Sequence, residues 1–121
     1  MMTWEELRIL AGEDWCEIIP HSISHRHLSQ IANLDTVRAE IRDSKHTLET
    51  QLRIRDIAFF CFPYGDGWGQ SHIEAILHEE GYVGALRADP PVSEQGWDAY
   101  TVPRWQVATT EDILRIIEVA P

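Results

Sequence analysis

The run from Ile57 to Phe62, Ile-Ala-Phe-Phe-Cys-Phe, constrains the fold more than any other feature of the chain. Consecutive residues without a charge cannot alternate a wet face with a dry one, so a strand built from them is expected to be covered on both faces. Pro63 and Gly65 bound it, since proline lacks a ladder donor and glycine opens backbone conformations closed to other residues. A strand covered twice needs helices, and the remaining sequence supplies them in alternation with further strands.

Thr3 and Glu6 have the spacing of a capping box, followed by an apolar face of Leu7, Leu10 and Ala11 and by Gly12 as a left-handed stop. Cys16 to Pro20 reads as a short buried strand ended by proline. Asp35 is expected to cap a long helix with Val37, Ile41, Leu48 and Leu52 on one stripe. Ser71 and Glu74 repeat the capping-box spacing ahead of Ile73, Ile76 and Leu77, and Gly81 offers the stop. Tyr82 to Leu86 reads as the next strand. Asp89 to Trp97 reads as an irregular Pro/Gly-rich loop. Tyr100 to Val107 reads as a strand interrupted by Pro103, and Thr110, Glu111 and Asp112 open a last helix. Such alternation implies an α/β fold with mostly parallel strands and crossover helices. With 121 residues, 44% of them hydrophobic and 25% charged, and no repeat or linker, a single domain over residues 1–121 is expected.

Charge narrows the partners. Twenty acidic against ten basic residues give a formal charge of −10, which argues against nucleic acid or an anionic membrane surface. Residues 61–121 carry ten acids but only Arg87, Arg104 and Arg115 as bases. No apolar run is long enough to span a bilayer and no secretion signal opens the chain, which as it stands reads as cytoplasmic. Cys16 and Cys61 lack metal-type pair spacing and read as buried free thiols.

Two segments could carry chemistry. His21-Ser22-Ile23-Ser24-His25 sets two imidazoles four apart, just beyond an expected strand end. If the segment turns helically, the rings lie about 6 Å apart on one side, a spacing one metal ion can bridge. A surface or packing histidine loop is the competing reading. His27 falls on another face and reads as solvated, as do His72 and His78 on their helix. The second segment, Phe62-Pro63-Tyr64-Gly65-Asp66-Gly67-Trp68-Gly69, lies beyond the strongest strand. Its glycines allow backbone N–H groups to point into a cleft and stabilise an oxyanion, while Tyr64 and Trp68 offer flat faces for a sugar ring. An ordinary tight turn with locally packed aromatics is the alternative.

The order of these pieces is informative. Trp-Glu-Glu-Leu at Trp4–Leu7, Glu-Ile-Ile-Pro-His-Ser-Ile-Ser-His at Glu17–His25 and Leu-Ser at Leu28–Ser29 come first. Phe-Cys-Phe-Pro-Tyr-Gly at Phe60–Gly65, Gly-Tyr-Val-Gly-Ala-Leu at Gly81–Leu86 and Val-Pro-Arg-Trp at Val102–Trp105 follow. This series resembles the polysaccharide deacetylase family, the NodB-like carbohydrate esterases, with the His-Ser-x-x-His element and the Pro-Tyr-Gly turn as its specific parts. The resemblance implies a partial (β/α) barrel, the chain being similar to the C-terminal portion of such a domain. It implies removal of N- or O-linked acetyl groups from a carbohydrate ligand, and a divalent metal, commonly zinc, held by an Asp and two His. The matching ligands are His21 and His25, and the Tyr64 backbone N–H would face the oxyanion.

The family's Asp-Asp pair, source of the base and the third ligand, is absent, and so is its late Leu-x-His element. Cys61 stands where relatives often have arginine. The catalytic base is unassigned. Asp66, Glu17 and Asp14 are candidates for the third ligand, each equally readable as a solvated carboxylate, and Arg104 either orients a carboxylate or forms a surface salt bridge. A second expectation, from another class, is a truncated and catalytically silent α/β module that binds a ligand or self-associates. An open sheet exposes edges that need covering, so a homo-oligomer is expected.

Overall fold

A computed structural model of the chain describes residues 1–88, 96, 98–104, 107 and 109–119. Its sheet is parallel, as expected. Strand β1 (Phe59–Cys61) pairs with β2 (Gly84–Leu86) in parallel, Phe59 opposite Gly84 and Cys61 opposite Leu86. Val102 adds a parallel bridge to Leu86, with Val102 N–H donating to the Ala85 carbonyl and Arg87 N–H to that of Val102. The ladders are shorter than the apolar runs that announce them, and of the expected strand at Tyr100–Val107 the described residues show this bridge. The expected loop from Asp89 to Trp97 lies outside the described residues except for Gly96, and so do Trp105 and Gln106.

The described residues also form the α-helices α1 (Trp4–Ala11), α2 (Leu34–Leu52), α3 (Ser71–Glu79), which crosses over from β1 to β2, and α4 (Thr110–Val119). The α2 stripe is as expected, with Val37, Ile41 and Leu52 buried and Leu48 packed against the core. These side chains meet Phe60 from β1, Phe62 just beyond it, and Ile73, Ile76 and Leu77 from α3. On the opposite face of β1 Cys61 is buried and Phe59 half-buried. Tyr82 completes the core, its hydroxyl donating to the Ile41 carbonyl at 2.9 Å. Among the described residues no helix is long and apolar enough to cross a membrane.

Several local expectations are corrected. Cys16–Pro20 forms no ladder. One backbone bond among the described residues, from Cys61 N–H to the Pro20 carbonyl at 2.9 Å, holds its end beside β1, where the proline has no N–H to answer with. Asn33, not Asp35, caps α2, because its amide oxygen reaches the N–H groups of both Asp35 and Thr36. Gln70 takes the cap position of α3, leaving Ser71 inside the helix and no capping box. Gly12 closes α1 in a right-handed conformation, φ −83°. Thr3 does cap α1, accepting from Glu6 N–H, although the Glu6 carboxylate takes the Thr3 hydroxyl and not its N–H. Cys61 is buried as expected, but Cys16 is only partly so.

Candidate functional site

His21 and His25 do meet, without a helical turn. The segment bends through left-handed backbone at Ser22 (φ 66°) and His25 (φ 55°), conformations that cost a non-glycine residue about 1–2 kcal/mol each. Local bonds offset that cost. The Ser22 hydroxyl accepts from His25 N–H, and Glu40 on α2 accepts from the N–H groups of Ile23 and Ser24 and from the Ser24 hydroxyl. Burial raises the energy of the Glu40 carboxylate, but the bonds from Ser24 and Ile23 outweigh it and hold the group below the usual carboxylate range.

The result brings the two Nε2 atoms to 3.1 Å, with ring centroids 4.8 Å apart. His21 Nδ1 lies 2.8 Å from the Cys61 carbonyl. A carbonyl only accepts, so Nδ1 carries the proton and His21 Nε2 presents a lone pair. That places the lone pair at the carboxyl end of β1, tied to the strand itself, as a carbonyl partner does for a ligating histidine.

The Pro63–Gly65 turn closes the other side. Tyr64 has φ 57°, and the residue is 59% exposed. It meets His25 edge-on at 4.6 Å and stacks on His27 at 4.0 Å with an interplanar angle of 7°. The Tyr64 N–H has no acceptor among the described residues. Gly65 is required: at φ +65° its missing Cβ would lie 2.6 Å from the Ala88 side chain. Trp68 packs against the core with the Arg87 guanidinium over its ring at 4.5 Å, so one face of this sugar-stacking candidate is taken.

Other candidates are not brought together. Asp66 accepts from the N–H and hydroxyl of Ser29, with His27 Nδ1 3.8 Å away. Among the described residues no group of three His, Cys, Asp or Glu side chains is arranged to hold a metal ion, so neither Asp66 nor Glu17 nor Asp14 completes the pair. Arg104 forms no ion pair among the described residues; its Nε donates to the Arg87 carbonyl at 2.7 Å and its side chain reaches the Cys61 sulfur. Burial pushes the Cys61 thiol up, against the pull of Arg104, which keeps it a neutral thiol at ordinary pH. His72 and His78 are exposed on α3. A groove of about 480 Å³ runs along α3 between Ser71 and Tyr100. It holds no convergent donor pair, and the chemistry stays with the histidines.

Three residues escaped the sequence reading. Glu40 has a visible signal, an acid between Val37 and Ile41 on a buried stripe. His27 does not, because its partner Tyr64 is distant in sequence. Arg87 is buried, with Nε and Nη2 unpaired among the described residues.

Comparison with known proteins supplies the context. No curated protein matches the chain. Among solved structures, a Streptococcus pyogenes deacetylase, PplD in complex with acetate, superposes with a TM-score of 0.79 at 18% identity, over 94% of this chain and 50% of that one. IcaB from Ammonifex degensii gives 0.74 at 16% identity, over 98% and 52%. The BpsB deacetylase domain from Bordetella bronchiseptica gives 0.71 at 20%, over 86% and 48%. The chain thus spans about half the length of the solved structures it matches. These likenesses show the α/β fold. The family's own sequence model, that for polysaccharide deacetylases, matches residues 1–84. That stretch contains the paired histidines, the Glu40 that pins them and the Pro63–Gly65 turn that faces them, and on this match the chain belongs to the polysaccharide deacetylase family.

Proposed function

We propose that the chain forms the histidine side of a metal-dependent carbohydrate deacetylase site, acting on N- or O-acetylated sugars. The observation that carries this reading is the convergence of the His21 and His25 Nε2 atoms beside the Tyr64 turn.

The donor set suits a divalent ion of borderline softness, for which imidazole nitrogen is a usual ligand, and zinc is the choice the resemblance implies. Two histidines are supplied here, and the third ligand comes from outside the described residues. The chemistry such an ion supplies when bound is polarisation of an acetyl carbonyl and acidification of water. The protein's own residues do the rest. His21 holds its proton on Nδ1 against the Cys61 carbonyl, which keeps its Nε2 free of one. With that atom aprotic, His25 Nε2–H donates across the pair, and ligation through His25 Nε2 would call for its other tautomer, with the proton on Nδ1. The Tyr64 N–H has the free donor an oxyanion needs, and the exposed Tyr64 ring offers an apolar face to a sugar. A second copy of the chain is the partner proposed for the open sheet edge.

Cobalt(II) titration followed by its visible spectrum tests the site. One ion per chain is expected, lost in His21→Ala and in His25→Ala, together with chelator-sensitive release of acetate from an acetylated chito-oligosaccharide. Binding undiminished in both variants would overturn the assignment.

A further inference from the structure

Arg87 is a buried cation whose hydrogen-bonding edge has no role in the proposed site. It directly follows β2, at the end of the parallel sheet where the Pro63–Gly65 turn also lies. Its backbone is committed, N–H to Val102 and carbonyl to Arg104. Arg87 is 3% exposed, yet among the described residues Nε and Nη2 have no hydrogen-bond partner. Buried polar groups in folded proteins are nearly always satisfied, and a guanidinium is the costliest to leave unsatisfied.

The geometry says which partner fits. Nε and Nη2 share one edge of the guanidinium, and their two N–H bonds run side by side, matching the two oxygens of a carboxylate. The guanidinium carbon lies over the Trp68 ring at 4.5 Å, a cation–π contact that anchors the group. Arg104 stands behind, bonded to the Arg87 carbonyl, and adds a second positive charge. Twenty acids are available to the chain, and among the described residues none pairs with either arginine. Phosphate is disfavoured, since its larger charge would enter a chain whose net charge is −10.

We propose that the Nε–Nη2 edge of Arg87, backed by Trp68, is a carboxylate-binding site at the carboxyl end of the sheet. Two sources share that chemistry: a free small monocarboxylate such as acetate, and an acidic side chain of a second copy of the chain. The site needs no metal and stands apart from the proposed catalytic function.

The test follows the Arg87 Nε–H signal by proton–nitrogen NMR on the metal-free chain. Sodium acetate is titrated against sodium chloride, acetamide and sodium phosphate, and a protein dilution series is run without acetate. A saturable acetate-specific shift, weakened roughly ten- to hundredfold in Arg87→Lys, supports the free-ligand source. A shift that grows with protein concentration alone, and that acetate abolishes by competition, supports the second copy. An Arg87 signal indifferent to both, an equal response to acetamide, or tighter binding of phosphate overturns the proposal. Arg87→Met should lose the response; should that variant not fold, the wild-type contrast between acetate and acetamide remains decisive.

Discussion

At the scale of single residues, the site rests on Glu40 more than on either histidine. A buried carboxylate with three donors from Ile23 and Ser24 is what lets Ser22 and His25 sit in left-handed backbone. Glu40→Gln keeps the shape but exchanges one acceptor oxygen for an NH₂ that faces donors. It should cost about 1–3 kcal/mol of stability and weaken metal binding by about tenfold, read by denaturant melts and by cobalt titration. The pH dependence has a definite sign. The folded-state carboxyl is held below its ordinary value of 4.5, so its stabilisation is complete above that pH and is lost as pH falls through the folded value. The melting-temperature gap between wild type and Glu40→Gln should therefore be constant at neutral pH and close below 4.5. A gap unchanged at pH about 3 would contradict the assignment. At this scale the sequence was informative where chemistry is local. His21 and His25 are four apart and could be paired on paper, whereas the partners of Glu40, His27 and Arg87 are distant in sequence. Charge alone reads each of those three as solvated.

At the scale of elements, helices were legible because their apolar stripes repeat over many turns, while caps and strand ends turned on one or two residues. The cap of α2 makes the point testable. Asn33→Ala removes the acceptor for two N–H groups and should cost about 1 kcal/mol, while Asp35→Ala should cost only a few tenths through the helix dipole. Equal losses in urea melts would return the cap to Asp35. The turn after β1 is stricter. Gly65→Ala combines left-handed strain with a clash against Ala88, for an expected loss of about 3 kcal/mol. Gly69 is also left-handed at φ +76° but has open space around its missing Cβ. Gly69→Ala should thus cost only about 1 kcal/mol, the strain without the clash. Thermal melts of the two variants separate these terms. The strands shrank relative to their apolar runs because a parallel ladder ends where its neighbour does, and the neighbours of β1 are a three-residue β2 and a proline-ended segment.

At the scale of the whole molecule, surface area carries the argument. The chain exposes 8169 Å² for 13.9 kDa, whereas a closed monomer of that mass exposes roughly 6,700 Å². The excess is roughly 1,500 Å², about twice the roughly 800 Å² that each partner contributes to a standard protein–protein interface. Apolar side chains contribute to it: Trp15 is 76% exposed, and Trp4 and Ile9 on α1 are exposed as well. Trp15 immediately precedes the Cys16–Pro20 segment, which flanks β1 by a single backbone bond and leaves that side of the sheet without a ladder. Unladdered backbone beside exposed tryptophan favours pairing with a second copy, since both the free polar groups and the indole gain from coverage. Light scattering at micromolar concentration should therefore give about twice the 13.9 kDa chain mass or more. Trp15→Lys should shift the population to monomer with an unchanged circular dichroism spectrum, because the indole supports no core contact in the single chain. A wild-type mass of 13.9 kDa throughout a concentration series would remove self-association as the means of covering this edge.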